Sequence, residues 1–201
     1  MHIDLGTGDG RAVLAVAVAQ PATFVIGIDA AAQAMTVASR RAARPAGKGG
    51  SPNVLFVVDG VEMIPEELSG LADRVTVLFP WGSLLRGALA LDPAVGSSIA
   101  RLLRPGGTLE LAVSVTDRDR IDGRAGGPFG PEDIDRIAES YGNLGLTLVE
   151  ARHLTRADPE IRLSSWARRL GVGATRPGWR IRLDASESST ADDAIRAAAI
   201  R

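Results

Sequence analysis

The stretch HIDLGTGDGR, residues 2–11, decides how the fold of this 201-residue chain is interpreted. It joins a short apolar strand to an Ala/Val-rich helical segment through glycines at positions 6, 8 and 10. Glycine adopts left-handed backbone conformations freely and leaves room for a ligand to approach the main chain. Arg11 stands at the third glycine position of G-x-G-x-x-G, which argues against a dinucleotide fingerprint. The stretch therefore predicts a strand, a ligand-binding glycine turn and a helix.

Beyond this unit, β-rich runs alternate with helix-like segments, as is typical of an α/β fold. The predicted strands are HIDLG, TFVIGID, NVLFVVD, RVTVLF, TLELAVSV, LTLVEARHL and WRIRLDA. The predicted helices cover residues 11–19, 30–44, 93–104 (closed by the turn Arg104-Pro105-Gly106-Gly107) and 131–141, and a long loop covers 118–130. We predict a Rossmann-like domain over residues 1–184, with helices on both faces of a seven-stranded, mostly parallel sheet. The tail at 185–201 is predicted to be flexible or loosely helical.

The composition restricts the chemistry. The chain has no cysteine, which excludes disulfides, thiolate metal sites and a cysteine nucleophile. We expect no metal site, and we interpret His2 and His153 as structural or solvated. No run approaches the roughly 18 apolar residues of a membrane helix, and the N-terminus lacks the pattern of a secretory signal. We therefore expect a cytoplasmic protein without membrane contact, and we also expect a monomer.

The charge is small overall but unevenly distributed. The net charge of −1 does not indicate nucleic-acid binding by itself. Basic residues nevertheless cluster in RRAARPAGKGG, residues 40–50, and in WARRLGVGATRPGWRIR, residues 166–182. Two solvated faces are the simpler interpretation of such clusters, so their position relative to the active site has to decide.

Acidic residues end the first two predicted strands. The pattern D-x-G-x-G-x-G, which begins at Asp4, resembles the first motif of class I SAM-dependent methyltransferases. In that resemblance Asp4 receives the ammonium of the methionine part of S-adenosylmethionine (SAM). Asp29 follows Gly10 by nineteen residues, where an acidic side chain can accept both ribose hydroxyls of an adenosine cofactor. A helix N-cap is the alternative role for Asp29, and the two roles can coexist.

Two further segments continue the pattern. Asp59-Gly60-Val61-Glu62 follows the third strand, where the wall of such a pocket would hold the adenine of the cofactor. FPWGSLL, residues 79–85, lies at the end of the fourth strand. Ligands of open α/β sheets bind beyond the carboxyl ends of the strands, so Trp81 can stack on a flat methyl acceptor there. Packing in the core is the alternative for this tryptophan.

The stretches HIDLGTGDGR, GID, KGG-xx-NV-x-FV, FPWGSLL and SSWARRL together resemble the aminoglycoside-resistance methyltransferases of the Kam and Npm type. The resemblance runs in order from His2 to about Leu183. It implies a class I methyltransferase that modifies N1 of adenine 1408 in 16S rRNA within the 30S subunit, with SAM as cosubstrate and S-adenosylhomocysteine as product.

The resemblance also implies the residues of the site. Trp81 and Trp166 map onto two tryptophans that sandwich the flipped adenine, with Ser164 beside the second. Ser83 maps onto a hydroxyl that helps to place the cofactor. The implied cofactor-binding set is Asp4, Gly6, Thr7, Gly8, Asp29, Ala30, Gly60, Val61, Glu62, Leu78, Phe79 and Ser83.

For RNA binding, the resemblance implies two groups of basic residues. Arg40, Arg41, Arg44 and Lys48 form the group on the second helix and its following loop, and Arg169 and Arg176 lie between the last two strands. Family members carry a hairpin before the first strand, whereas here the strand begins at His2. We expect either that the start is truncated or misassigned, or that this docking element is missing. Ala174 stands where a relative has a basic residue, and Trp179 is an additional aromatic.

Two alternatives stay open at this point. The first is a SAM-dependent methyltransferase that acts on a small molecule, for which a metabolite and not the 30S subunit would accept the methyl group. The second is a weakly active SAM-binding homologue that docks on RNA.

Overall fold

The computed structural model describes residues 1–124 and 126–187. Within them lie the strands β1 (His2–Leu5), β2 (Val25–Asp29), β3 (Val54–Val58), β4 (Ala72–Leu78), β5 (Leu103–Val113), β6 (Leu146–His153) and β7 (Trp179–Ala185). The helices are α1 (Arg11–Ala19), α2 (Ala32–Ala42), α3 (Gly82–Ala88), α4 (Pro93–Ala100), α5 (Pro131–Gly142), α6 (Pro159–Leu163) and α7 (Ser165–Leu170). Single turns of 3₁₀-helix cover Ala46–Lys48, Val61–Met63 and Glu66–Leu68.

The strands form one sheet in the order β3-β2-β1-β4-β5-β7-β6. β1 pairs in parallel with β2 on one side and with β4 on the other, while β7 is antiparallel to both β5 and β6. The predicted seven-stranded, mostly parallel sheet is thereby confirmed. The chain winds outward from β1 to β3 and then returns to β4, so the strand order reverses between β1 and β4. Open α/β sheets bind ligands at such a switch point.

Helices cover both faces of the sheet. Neighbouring residues of a strand point to opposite faces, and in β2 Val25 packs with Val13 of α1 while Ile26 joins the cluster that contains Ile99 of α4. A third cluster packs Leu14 of α1 against α2 and β3. The apolar strands are therefore sandwiched between α1 and α2 on one face and α3, α4 and α5 on the other.

The structure corrects the predicted turn at residues 104–107. The helix predicted over 93–104 ends at Ala100, and β5 already begins at Leu103. Ala72 pairs with Leu103 and Arg74 with Thr108, so residues 104–107 form a bulge opposite Asp73 of β4. Gly106 has a φ of 72°, a left-handed conformation that glycine adopts at little cost, and this allows the bulge to form. The proline–glycine signal was real, but it marks an irregularity inside a strand.

Other element bounds also differ from the prediction. The helix predicted over 30–44 spans Ala32–Ala42, and α3, α6 and α7 were not predicted as helices. β7 extends to Ala185, one residue beyond the predicted domain boundary. Residues 188–201 of the predicted tail lie outside the described residues. No helix in the described part of the chain is long and apolar enough to cross a membrane.

Candidate functional site

A cavity of about 630 Å³ opens at the carboxyl ends of β1, β2 and β4. All twelve predicted cofactor-binding residues line it, together with Trp81, Ser164 and Trp166. The sequence analysis missed several further lining residues, which lie at strand ends, in the glycine turn and the start of α1, around the start of α3, and between β6 and β7: Leu5, Asp9, Ala12, Ile28, Pro80, Leu84, Leu163 and Ser165.

The glycine turn forms the floor of this cavity. Gly6, Gly8 and Gly10 have φ values of 70°, 57° and 72°, all in the left-handed region. A Cβ on Gly10 would lie 2.6 Å from Ala38 Cβ, so packing excludes a side chain there, whereas one on Gly6 would lie 2.7 Å from Leu84 Cδ2, the end of a flexible side chain. A Cβ on Gly8 would meet no atom of the described residues within 4 Å. Gly8 therefore leaves open space beside the backbone, as a ligand cradle requires.

Asp29 fastens this turn to the second strand. Its Oδ2 accepts a hydrogen bond of 2.8 Å from the Gly8 N–H, and its Oδ1 accepts one of 2.7 Å from the Ala31 N–H. Ala31 is the N-cap residue of α2, and no side chain caps that helix. The carboxylate of Asp29 therefore braces the loops on both sides of the cavity rather than capping α2. Each oxygen retains a lone pair for a further donor.

Asp4 is the most buried acid of the cavity, with 3% of its surface exposed. Burial raises the pKa of Asp4 to about 6, although the hydrogen bond donated by Thr76 favours the ionised form. The side chain lies near the end of β1, directly before the glycine turn. A cationic group that binds at this point would meet a carboxylate in a poorly solvated environment, where charge pairing is strong.

The far wall is built from the loop after β3. The Gly60 N–H donates to Asp59 Oδ1 over 2.9 Å, and Val61 is buried where it begins a 3₁₀ turn. This arrangement leaves an apolar side chain and backbone groups facing the cavity. Such a surface can pack against an adenine ring and hydrogen-bond its edge.

The tip of β4 has an unusual backbone. Phe79 has a φ of 52°, in the left-handed region that non-glycine residues seldom occupy. Its phenyl ring is buried, and its N–H donates to the Ala112 carbonyl over 2.7 Å. The strained residue turns the chain out of the sheet, so that Trp81 projects from the tip with 56% of its surface exposed. Ser83 follows in the first turn of α3 and faces the cavity.

Trp166 meets Trp81 from the other side. The two ring centroids are 5.0 Å apart and the ring planes are inclined at 82°, an edge-to-face contact. Trp166 lies on α7, and it packs against a small core that includes Phe79 and Ile161. The structure thus brings the two predicted tryptophans together, in contact with each other and not as parallel walls.

Ser164 has a clear structural role. Its Oγ accepts a hydrogen bond of 3.1 Å from the Ala167 N–H, which makes it the N-cap of α7. N-caps of this kind stabilise a helix by about 1 kcal/mol. Ser164, which the resemblance implies lies beside the second tryptophan, therefore also fixes the start of the helix that carries Trp166.

The predicted RNA-binding residues differ in exposure and in whether their side chains are already paired within the protein. Arg40, Arg41, Arg44 and Lys48 are exposed on α2 and the turn that follows, and among the described residues none of them takes part in an ion pair. Arg169 is also exposed, and its guanidinium carbon lies 5.8 Å from the Trp166 ring centroid. Arg176 differs, because its guanidinium is already bonded to other side chains of the protein.

Arg176 fixes the loop after β5. Its Nη2 donates to Asp119 Oδ2 over 2.6 Å and its Nε donates to Ser114 Oγ over 2.9 Å. A second cavity of about 360 Å³ lies here, on the outer side of the tryptophan pair, and Arg118 and Arg120 also line it. The sequence analysis predicted only a flexible loop at 118–130, because a loop without periodicity gives no sign of which side chains face a pocket.

Comparison with known proteins identifies the family to which the chain belongs. The family described as "NpmA: 16S rRNA (adenine(1408)-N(1))-methyltransferase" matches residues 1–185. The chain belongs to this methyltransferase family. A 16S rRNA (adenine(1408)-N(1))-methyltransferase from Escherichia coli is 31% identical over 90% of this chain and 85% of its own length. One from Streptoalloteichus tenebrarius is 34% identical over 84% of this chain and 79% of its own length.

Solved structures of 16S rRNA (adenine(1408)-N(1))-methyltransferases agree with this assignment. A variant from Catenulisporales acidiphilia with cosubstrate SAM superposes with a TM-score of 0.81 at 35% identity, covering 92% of this chain and 85% of that one. The aminoglycoside-resistance methyltransferase NpmB1 superposes with a TM-score of 0.75 at 38% identity, covering 92% and 86%. The predicted family and fold class are thereby confirmed, and SAM is the cosubstrate that this family of enzymes uses.

The residues of the methyltransferase cavity fit SAM chemically. Gly8 leaves a backbone cradle open, Asp29 retains acceptor capacity, and Asp4 offers a buried carboxylate. These features match a nucleoside with two vicinal hydroxyls at one end and an ammonium at the other. The cavity then ends against the indole pair, beyond which the second, arginine-lined cavity opens.

Proposed function

We propose that this chain transfers the methyl group of SAM to N1 of adenine 1408 of 16S rRNA in the 30S subunit, and that it thereby protects bacteria against aminoglycosides. The observation that carries the proposal is the course of the large cavity, which runs from the glycine turn to the contact between Trp81 and Trp166. A nucleoside-binding floor and an aromatic end are what a methyl transfer onto a flat base requires.

On this proposal, three acidic or backbone elements hold the cosubstrate. Asp29 accepts the ribose hydroxyls, Gly60 and Val61 face the adenine ring, and Asp4 binds the ammonium of the methionine part. Gly6, Thr7, Gly8, Ala30, Glu62, Leu78, Phe79 and Ser83 complete the lining. SAM, when bound, supplies a methyl group on a positively charged sulfur.

Trp81 and Trp166 hold the target adenine. A base between two parallel rings needs about 7 Å, two layers at roughly 3.5 Å each, whereas the ring centroids lie 5.0 Å apart and the planes are nearly perpendicular. One ring must therefore move aside. Trp81 is the ring we assign to this movement, because it is more than half exposed while Trp166 is anchored on α7.

The chemistry asks little more of the protein. Adenine N1 carries a lone pair in the plane of the ring, so no residue has to act as a general base. Alignment of the nitrogen with the methyl–sulfur bond is the main contribution. Flipping the base out of the RNA costs a few kcal/mol, and stacking on two indoles, at roughly 1–3 kcal/mol each, offsets that cost.

The exposed basic residues bind the rRNA backbone. Arg40, Arg41, Arg44, Lys48 and Arg169 are free to contact phosphates, which supply affinity and register while the flipped base supplies specificity. Arg176 acts differently on this proposal. Because its guanidinium is bonded to Asp119 and Ser114, it shapes the loop over the second cavity, and phosphate contact would require that pairing to open.

We also propose that residues 1–184 form the methyltransferase domain, followed by a short tail. The protein acts as a monomer in the cytoplasm, where 30S subunits are found.

Mapping of the modified nucleotide tests the function. Purified 30S subunits are incubated with the protein and SAM, and the 16S rRNA is examined by reverse transcription. We expect a stop at adenine 1408 with the wild-type chain and none when SAM is omitted. Methylation of a metabolite with unmodified 30S subunits would favour the small-molecule alternative. SAM binding and 30S binding without any methylation would favour the weakly active homologue.

A further inference from the structure

A buried chain of three polar side chains lies behind the cavity. His2 Nε2 is 2.9 Å from Thr76 Oγ1, and Thr76 Oγ1 donates a hydrogen bond to Asp4 Oδ1. The three residues are 4%, 4% and 3% exposed. His2 and Asp4 are two residues apart on β1 and so share one face of the sheet, while Thr76 is the β4 partner directly beside Asp4.

The direction of the hydrogen bonds follows from proton counting. A threonine hydroxyl has one proton, which it donates to the carboxylate, so it must accept from His2. Burial, aided by Arg74, lowers the pKa of His2 to about 4, so the ring is neutral at physiological pH. Its proton then sits on Nε2, which leaves Nδ1 as an acceptor. Nδ1 is buried without a partner among the described residues.

We propose that His2 and Thr76 are positioning residues for SAM, which hold the Asp4 carboxylate with Oδ1 fixed and the other oxygen directed to the ammonium of the methionine part. This inference rests on the proposed use of SAM by this chain. The relay matters because Asp4 is only 3% exposed, so hydrogen bonds from the protein and not bulk water orient its carboxylate. The His2 ring, fixed between β1 and β4, orders the threonine hydroxyl, and the hydroxyl orders the acid.

Several charged groups lie around Asp4 and the two residues that position it. Arg74 on β4 lies on the same face but is paired with Glu110 of β5 over 2.5 Å. Asp29 on β2 is a like charge that disfavours ionisation of Asp4. Glu160 of α6 lines the small cavity behind the relay and forms an ion pair with Arg180 of β7. The Thr76 and Thr7 hydroxyls and the charge of Arg74 favour the ionised form of Asp4, against burial and the charge of Asp29, and the hydrogen bond from Thr76 is the strongest of the favourable influences.

A matched pair of ligands tests the relay. S-adenosylhomocysteine and 5′-methylthioadenosine share an adenosine and a thioether sulfur, and only the former carries the amino-acid group. Thr76→Val keeps the shape of the side chain without the hydroxyl, and Thr76→Ser keeps the hydroxyl. We expect Thr76→Val to weaken S-adenosylhomocysteine binding roughly tenfold, the equivalent of one hydrogen bond to a charged group. Binding of 5′-methylthioadenosine should change less than about twofold, and Thr76→Ser should restore most of the lost affinity.

The pH profile supplies a readout that a purely structural role would not change. Affinity for S-adenosylhomocysteine should fall as pH decreases through the pKa of Asp4, about 6 in the wild-type chain. Without the hydroxyl that favours the ionised acid, the midpoint in Thr76→Val should move to higher pH. His2→Phe, which removes the donor to Thr76, should shift the midpoint in the same direction.

The outcomes separate the two hypotheses. Equal weakening of both ligands by Thr76→Val, or an unmoved midpoint, would overturn the relay. If the wild-type chain binds S-adenosylhomocysteine and methylates 30S subunits while Thr76→Val behaves identically, the relay fails and the proposed function stands. If the wild-type chain binds neither ligand, both fail. Because Thr76→Val and Thr76→Ser differ from the native side chain by few atoms, the result does not depend on whether His2→Phe folds.

Discussion

Trp81 and Trp166 are in direct contact, edge to face, although 85 residues of sequence separate them. The contact closes the end of the large cavity where the target base would be held. An edge-to-face aromatic pair is worth roughly 0.5–1.5 kcal/mol beyond its buried area, whereas a base stacked on an indole contributes roughly 1–3 kcal/mol. Replacement of one indole–indole contact by two indole–base contacts is therefore favourable, so the closed pair is compatible with base capture.

Removal of either indole should reduce methylation without affecting SAM binding. We expect Trp81→Ala and Trp166→Ala to lower the rate of 30S methylation on the order of 10–100-fold, the loss of one stacking surface. Phenylalanine at either position should restore part of the activity, because a smaller ring still stacks. Trp81→Ala should leave the melting temperature nearly unchanged, since that side chain is mostly exposed.

Trp179 offers a matched control for this experiment. It packs on His153 at a centroid distance of 3.9 Å and on Phe129 at 5.6 Å, away from the indole pair. Trp179→Ala should destabilise the fold by about 3 kcal/mol but retain methylation at temperatures where it is folded. If activity in the Trp81 and Trp166 variants declines only in step with stability, those residues belong to the core.

Asp29 should be required for cosubstrate affinity. Asp29→Ala removes the acceptors for the ribose hydroxyls and also releases the Gly8 and Ala31 N–H groups that the carboxylate holds. We expect a loss of roughly 2–4 kcal/mol in SAM binding by calorimetry. Asp135→Ala, on an exposed position of α5, should bind SAM normally. Unchanged affinity in Asp29→Ala would contradict the ribose assignment.

Asp4 should make the ligand-free protein less stable at neutral pH. Its pKa is raised from 3.8 to about 6 in the folded state, so between these values the folded protein binds more protons than the unfolded chain. Stability then falls as pH rises through this window, and the full cost is present above it. Asp4→Asn, which cannot ionise, should be more stable than wild type by on the order of 1–3 kcal/mol at pH 7.5.

The difference should become small near pH 3, where the acid is protonated in the folded state and largely protonated in the unfolded chain. Urea unfolding without SAM at the two pH values measures it. The same variant should lose SAM affinity, because the amide carries no charge for the ammonium. If wild type has the higher free energy of unfolding at pH 7.5, burial of ionised Asp4 does not destabilise the fold.

The exposed basic residues of α2 and the following turn should determine affinity for the subunit and not for SAM. Combined replacement of Arg40, Arg41 and Lys48 by alanine should weaken 30S binding and make its dependence on salt less steep by about 2–3 in a logarithmic plot, one phosphate contact each. Arg104→Ala is the control, since Arg104 pairs with Asp73 at the amino end of the parallel strands, away from the site. An unchanged salt dependence would indicate that α2 does not face the RNA.

Much of the site could be predicted from the sequence because its signals are local. The glycine turn needs left-handed backbone at neighbouring positions, and only glycine supplies that cheaply, so DLGTGDG identifies itself. β7 was predicted with its observed bounds because its apolar residues alternate with polar ones. The fold class followed from the order of such segments.

The features that were missed depend on distant contacts or on short elements. Helices α6 and α7 have five and six residues, too few for a periodic pattern. Their caps were visible, with Pro159 in the first turn of α6 and Ser164 before α7, and those signals could have located them. The sequence does not predict the bond between Arg176 and Asp119 or the contact between the two indoles. Each joins segments that only the folded sheet brings together.

The position of β7 has a consequence for the order in which the protein assembles during synthesis. β7 is made after β6, yet it lies between β5 and β6 in the sheet. β6 therefore has no strand partner in the sheet until the ribosome has added residues 179–185. The glycine turn, Asp29 and the β4 tip depend on earlier strands and can assemble first. A nascent chain that stops short of Trp179 would contain every residue of the site, but β6, which leads into the helices α6 and α7, would have no strand to pair with.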